Sequence, residues 1–138
     1  CHGTFTCDYA LVPHAGSLEQ STAADQAYQF NTPLHSAFTS AHPGSLNPGK
    51  DLLELAPRQL VLSAFKKADG KDSLIVRFYN PTSTTHRARL AIGVDYQTAY
   101  LCDLAENRLE QLYKTSDDVE GNLSIETPAK SIITVELA

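Results

Sequence analysis

Gln59-Leu-Val-Leu-Ser-Ala-Phe-Lys-Lys-Ala-Asp-Gly-Lys-Asp-Ser-Leu-Ile-Val-Arg-Phe-Tyr-Asn-Pro81 sets two alternating runs on either side of a turn signal. Val61, Ser63 and Phe65 alternate with Leu60, Leu62 and Ala64, and past Asp69-Gly70 the alternation resumes, Leu74, Val76 and Phe78 against Ile75, Arg77 and Tyr79. A period of two on both sides of a turn signal predicts a β-hairpin. With a loop of two or of four residues, shifting the pairing by two keeps Phe65, Val76 and Phe78 on one face, so that face is expected to meet the core. Asn80-Pro81 ends the second strand, because proline offers no N–H to the ladder and restricts the residue before it.

Outward from the hairpin the chain reads as strands with one short helix. Towards the N-terminus, Phe5, Cys7, Tyr9 and Leu11 alternate with Thr4, Thr6, Asp8 and Ala10, predicting a half-buried strand over Thr4 to Val12. Pro13-His14-Ala15-Gly16 ends it. Ser17 with Gln20 has the spacing of a capping box for a helix over about Leu18 to Phe30, whose apolar stripe is Ala23, Ala24, Ala27, Tyr28 and Phe30. Asn31-Thr32-Pro33 stops that helix, and His35 to Lys50, rich in Ser, Pro and Gly, is expected to be a long loop of the kind that is functional or mobile. Leu52 to Leu55, Ala88 to Val94, Thr98 to Leu101, Leu109 to Tyr113, Leu123 to Glu126 and Ile132 to Leu137 supply further strands. Glu106-Asn107, Asp117-Asp118 and Glu120-Gly121-Asn122 are the turn signals between them. The turns are too short for crossover helices, so the pattern favours an all-β, antiparallel β-sandwich over a parallel sheet.

At 138 residues the chain fits a single domain, burying about 70% of its unfolded surface without needing a staple. Cys1, Cys7 and Cys102 are an odd set with no zinc-like spacing. Cys7 and Cys102 lie in apolar patterns and read as buried reduced thiols, which favours a reducing, cytoplasmic setting. The net charge of −5 comes without a basic stripe, which argues against nucleic acid, and no apolar run reaches the roughly 18 to 20 residues of a membrane span. A start at Cys1-His2-Gly3, with no Met anywhere, reads as a chain cut from a longer one.

Candidate chemical sites give way to plainer readings. His2, His14, His35 and His42 fall near Cys1, Cys7 and Asp8, but their spacings match no metal-ligand pattern, so they read as solvated or hydrogen-bonded, His14 as a turn residue. No Gly-x-Ser-x-Gly elbow supports a hydrolytic triad. A glycosidase pair would have to come from Asp103, Glu106 and Glu110, or from Asp117, Asp118 and Glu120; their polar surroundings read as solvated turn charges. Tyr28, Tyr79, Tyr96, Tyr100 and Tyr113 are open to two readings, a sugar-stacking platform or the edge of a core.

Several segments, in this order, resemble the C-terminal region of glycoside hydrolase family 38, the α-mannosidases and mannosylglycerate hydrolases. They are Phe5-Thr-Cys-Asp-Tyr-Ala-Leu-Val-Pro-His-Ala-Gly16, the helix leading to Phe30-Asn-Thr-Pro-Leu34, Leu60 to Phe65 with Leu74 to Pro81, Cys102-Asp-Leu-Ala-Glu106, and Pro128-Ala-Lys-Ser-Ile-Ile-Thr-Val135. The resemblance implies the supersandwich, galactose-mutarotase-like type of β domain, with residues 1–138 forming one non-catalytic unit of a larger glycosidase. It implies a parent enzyme that cleaves α-mannosides with retention, its zinc ion, zinc ligands and nucleophilic aspartate belonging to an N-terminal catalytic domain. No segment here matches those motifs, so the resemblance carries over no catalytic, cofactor-binding or metal-binding residue. The expected partners are that catalytic domain of the same chain and the parent's carbohydrate substrate. The competing expectation is a free-standing carbohydrate-binding β-sandwich module.

Overall fold

A computed structural model describes residues 2–44, 49, 51–114 and 122–138. They group into two compact units, Cys1–Gly44 and Ser45–Ala138. Within the first, a 3-10 turn over Leu18–Gln20 precedes helix α1, Ala23–Asn31. The expected capping box is not made: Gln20 donates its N–H to the Ser17 carbonyl at 3.1 Å, while the Ser17 side chain caps nothing. Ser21, extended at ψ 171, separates the turn from the helix, and its Oγ accepts the Ala23 N–H at 3.2 Å. The helix is therefore shorter than its apolar stripe suggested. It ends as expected before Pro33, where the Thr32 N–H still reaches the Tyr28 carbonyl.

Thr4 to Val12 is not a strand. Its backbone forms no ladder among the described residues, and Phe5, Tyr9 and Leu11 are 73%, 87% and 88% exposed. Alternation prepares a segment for a sheet, but a strand exists only where a neighbour accepts its N–H groups and donates to its carbonyls. The same correction applies to Cys7, which is exposed rather than buried.

The second unit is a sandwich of eight strands: β1 Leu53–Ala56, β2 Val61–Lys67, β3 Leu74–Tyr79, β4 His86–Ile92, β5 Ala99–Cys102, β6 Arg108–Leu112, β7 Leu123–Thr127 and β8 Ile132–Leu137. One sheet has the order β1-β4-β7 and the other β2-β3-β8-β5-β6, with antiparallel pairing throughout. Ala88, Leu90, Leu123 and Ile125 from the first sheet meet Val76, Phe78, Ala99, Val135 and Leu137 from the second in a single core. The turn signals at 117–118 and 120–121 lie outside the described residues.

The hairpin pairs Phe65 with Val76 and ends at Lys67 opposite Leu74, across a connection longer than two or four residues, closed by an Ala68 N–H to Ser73 carbonyl bond of 2.9 Å. Gly70 supplies the positive φ (66°) that the connection needs. A bulge between Leu62 and Ala64 shifts the register, so that Leu62 stands opposite Phe78 and Ser63 is exposed. Leu60 and Leu62, rather than Val61 and Ser63, therefore share the core side with Phe65. One extra residue in one strand inverts every side chain beyond it, and alternation alone does not show where that residue sits.

Beyond β3, Asn80 is a buried junction. Its Nδ2 donates to the carbonyls of Thr84, Thr127 and Pro128 at 2.8, 3.2 and 2.9 Å, and its Oδ1 accepts the Thr82 N–H and hydroxyl at 3.0 and 2.7 Å. One side chain thus ties the β3–β4 turn to the β7–β8 turn. Lys130 adds a bond from its Nζ to the Pro81 carbonyl.

Candidate functional site

Strand β8 runs through the middle of the five-stranded sheet. Ile133, Val135 and Leu137 point to the core, so Thr134 and Glu136 lie on the other face, where a solvated side chain would be ordinary. Glu136 is instead fully buried. Its carboxylate takes a two-pronged grip from Arg108, Nε to Oε2 at 2.8 Å and Nη2 to Oε1 at 2.9 Å. Ser73 Oγ donates to Oε1 at 2.7 Å and Lys71 Nζ to Oε2 at 3.2 Å. The Arg108 guanidinium, then Ser73 and Lys71, outweigh the cost of burial and hold the carboxyl down to about 2.

Arg108 reaches this face through a second irregularity, where Leu101 pairs with Glu110 but Cys102 pairs with Arg108. Its guanidinium lies 4.1 Å from the centre of the Tyr100 ring. Cys102 puts its Sγ 3.9 Å from Glu136 Oε2, and burial, reinforced by that negative charge, pushes the thiol up. A thiol so placed is a poor nucleophile.

A second carboxylate sits in the β5–β6 turn. Asp103 shapes the turn by accepting from the Asn107 N–H and Nδ2, both at 2.9 Å, and these bonds hold the Asp103 carboxyl low. Glu106, at φ 65, reaches back over the sheet: Lys66 Nζ lies 2.6 Å from Oε1 and the Asp69 N–H donates to Oε2 at 3.0 Å. Lys66 first, and the Asp69 N–H next, keep the Glu106 carboxyl below its usual range. Lys71 joins the two acids, since its Nζ also donates to the Glu106 carbonyl at 2.9 Å. Arg77 donates to Thr134 Oγ1 and to the Leu104 carbonyl, both at 3.0 Å. Ile75, with Lys66 and Glu136 as cross-strand partners, is fully buried on this outer face although it is no part of the core between the sheets. The polar network therefore roofs the sheet at Ile75 and binds β2, β3, β6, β8 and two turns together.

None of the three carboxyls in this arrangement is set up as the general acid of a glycosidase pair. A general acid needs a carboxyl whose protonation is favoured near neutral pH, whereas Asp103, Glu106 and Glu136 are all pulled the other way by the donors around them. Asp103 and Glu106 are thus turn residues, as expected, but Glu106 is an ion-paired clamp rather than a solvated charge. Asp117, Asp118 and Glu120 lie outside the described residues. Of the tyrosines, Tyr96 packs against the core with the Lys114 ammonium 4.2 Å from its ring centre, and Tyr100 carries Arg108. Tyr28, Tyr79 and Tyr113 are exposed. His2, His14, His35 and His42 are exposed, and among the described residues no three His, Cys, Asp or Glu side chains are grouped to hold a metal ion. Nor, among these residues, is any helix long and apolar enough to cross a membrane.

The clamp around Glu136 and the Asn80 junction are what sequence reasoning missed. The available signal was an acid between Val135 and Leu137 in a strand otherwise apolar on its inner side, with Arg108 just ahead of the strand expected over Leu109 to Tyr113.

The second unit is an antiparallel β-sandwich, and residues 59–135 match the family described as the glycosyl hydrolases family 38 C-terminal beta sandwich domain. The chain belongs to that family. More particularly, it is 31% identical over 101 residues to alpha-mannosidase 2C1 of Homo sapiens. That alignment takes in 71% of this chain and 10% of the relative, so the chain spans about a tenth of the curated protein it matches.

Proposed function

We propose that residues 1–138 act as one non-catalytic β domain of an α-mannosidase-type glycoside hydrolase, in the same polypeptide as an N-terminal catalytic domain. The observation that carries this reading is the family match over the sandwich, together with the state of three acids on it: Asp103, Glu106 and Glu136 are held low by cations or turn donors. In this reading the parent cleaves α-mannosides with retention, and its carboxylates and zinc ion sit outside these residues. The described residues do not fit zinc, since they bring no three ligand side chains together. The domain's own contribution is mechanical: the clamped sheet supports the catalytic domain, and the segment from His35 towards Lys50 walls part of the sugar cleft. The described part of that segment has neither helix nor strand, and Phe38 on it is fully exposed. A reducing, cytoplasmic setting for the parent is supported by the free thiols of Cys7 and Cys102.

Deleting residues 36–47 from the longer enzyme tests the walling role. A fall in kcat/KM or in stability is expected, and no change in either would remove it. The alternative, a carbohydrate-binding module, draws on the exposed rings of Tyr79 and Tyr113, which are 37% and 76% exposed. It predicts heat of binding when mannose oligomers are titrated into the 138-residue chain, where the scaffold reading expects none.

A further inference from the structure

In the three-stranded sheet Leu55, Leu90 and Leu123 turn towards the core, so the neighbouring row, Glu54, Ala91 and Asn122, lies on the opposite face. Glu54 pairs with Ala91, and Asn122 stands beside Ala91 one step beyond the Leu90–Leu123 pair. Asn122 is 6% exposed, and its Oδ1 is buried without a hydrogen-bond partner. Buried polar atoms in folded proteins are almost always matched by protein, water or an ion, so an orphaned amide oxygen calls for a ligand.

The surroundings supply the rest of a donor set. Asp51, Glu54, Ala91, Gly93 and Asn122, all in the second unit, line one cleft of about 500 Å³. Gly93 holds the chain at Asp51 against the end of β4: its N–H bonds the Leu52 carbonyl at 2.9 Å, and the Asp51 carbonyl oxygen lies 2.5 Å from the point a Cβ on residue 93 would occupy. Asp51 and Glu54 are exposed, and among the described residues neither carboxylate has an ion pair or a hydrogen bond. Arg89, two residues from Ala91 on this face, pairs with neither of them.

We propose that Asp51, Glu54 and Asn122 bind a calcium ion over the methyl group of Ala91. Strands in a sheet are about 4.8 Å apart, so Glu54 and Asn122 are rooted about 10 Å apart with only that methyl between them. Their side chains close such a gap around one ion with oxygen ligands at about 2.3–2.6 Å. Two carboxylates and an amide oxygen, with no imidazole or thiolate, suit calcium and not zinc. Magnesium, which demands tight octahedral geometry, fits a wide cleft less well. Three protein ligands carrying two charges place the affinity in the weak range, with a Kd of roughly 10⁻⁴ to 10⁻³ M. The proposal is independent of the glycosidase reading, whose zinc ion sits outside these residues.

Calcium chloride titrated into the 138-residue chain, followed by calorimetry and by proton–nitrogen NMR, tests this. Saturable binding in that range is expected, with the largest shifts at the side-chain amide of Asn122 and the N–H of Gly93. Asp51→Asn and Glu54→Gln, at exposed positions, should each weaken binding at least about 10-fold, and magnesium should bind the unaltered chain at least about 10-fold less well. Asp72→Asn, which removes an exposed acid paired with Lys67, should leave binding unchanged. No heat and no shifts up to about 10 mM calcium would overturn the proposal, since a site of this affinity is then mostly filled. Calcium binding that leaves the Asn122 amide unmoved, as a trapped water on Oδ1 would make it do, would overturn it equally. So would binding that survives Glu54→Gln or is lost with Asp72→Asn.

Discussion

Replacing Glu136 by Gln keeps the shape of the side chain and removes the charge that Arg108, Ser73 and Lys71 surround. The carboxyl is held at about 2 against a reference of 4.5, which at 1.36 kcal/mol per unit sets a ceiling of about 3 kcal/mol on what the folded surroundings add. Water reduces this, because Lys71 and Arg108 are 40% and 43% exposed and can re-solvate when their partner is lost. A loss of about 2 kcal/mol at pH 7 is therefore expected, a fall in Tm of roughly 8 °C for a unit of this size. The pH dependence gives a second constraint. Glu136 is depressed in the folded state, so its contribution is complete above pH 4.5 and is lost as pH falls towards 2. Thermal melts of the two proteins followed by circular dichroism should show a gap at pH 7 that shrinks by half or more at pH 3. Equal Tm values at pH 7, or a gap that stays the same at pH 3, would refute the claim that the charged clamp stabilises the sheet.

Three further outcomes follow from the packing. Asn80→Ala removes an amide that bonds two turns at once and leaves three carbonyls without their donor; a loss of about 3 kcal/mol in urea denaturation is expected, and a loss under 1 kcal/mol would show that water replaces the side chain. Gly93→Ala places a Cβ 2.5 Å from the Asp51 carbonyl oxygen, beside the Gly93 N–H to Leu52 carbonyl bond that aligns the start of β1, so the chain must part there at a cost of about 1–3 kcal/mol; an unchanged denaturation midpoint would contradict this close approach. In the 138-residue chain, Cys7 should react with a thiol reagent at the rate of an open peptide, whereas Cys102 should wait for unfolding, so equal rates at the two would contradict the burial of β5.

How much of this was legible in the sequence depended on where each residue's partner lies. Val76 and Phe78 were readable as core, because an alternation bounded by turn signals places them whatever the pairing. Leu62 also reads as core and packs there, although strict alternation sets it opposite to Phe65 and only the bulge between Leu62 and Ala64 turns both inward. Thr4 to Val12 carries as clean an alternation as the hairpin, yet forms no strand, because the ladder that would make it one is not among the described residues. Ser17 and Gln20 have capping-box spacing, but Ser21 extends the backbone and ends the turn first. Glu136 is the instructive case: its neighbours Val135 and Leu137 fixed the face it lies on, while its burial depends on Arg108, Lys71 and Ser73, which are distant in sequence. Pairwise electrostatics of that kind leaves no period to read.

In the function proposed for them, these residues support a glycosidase without doing its chemistry. The most direct test is the steady-state hydrolysis of a chromogenic α-mannoside, with zinc supplied, by the 138-residue chain and by the longer polypeptide side by side. Turnover by the longer polypeptide and none above buffer by the 138-residue chain is the predicted result. Hydrolysis by the 138-residue chain, abolished by a substitution among its own carboxylates, would contradict it.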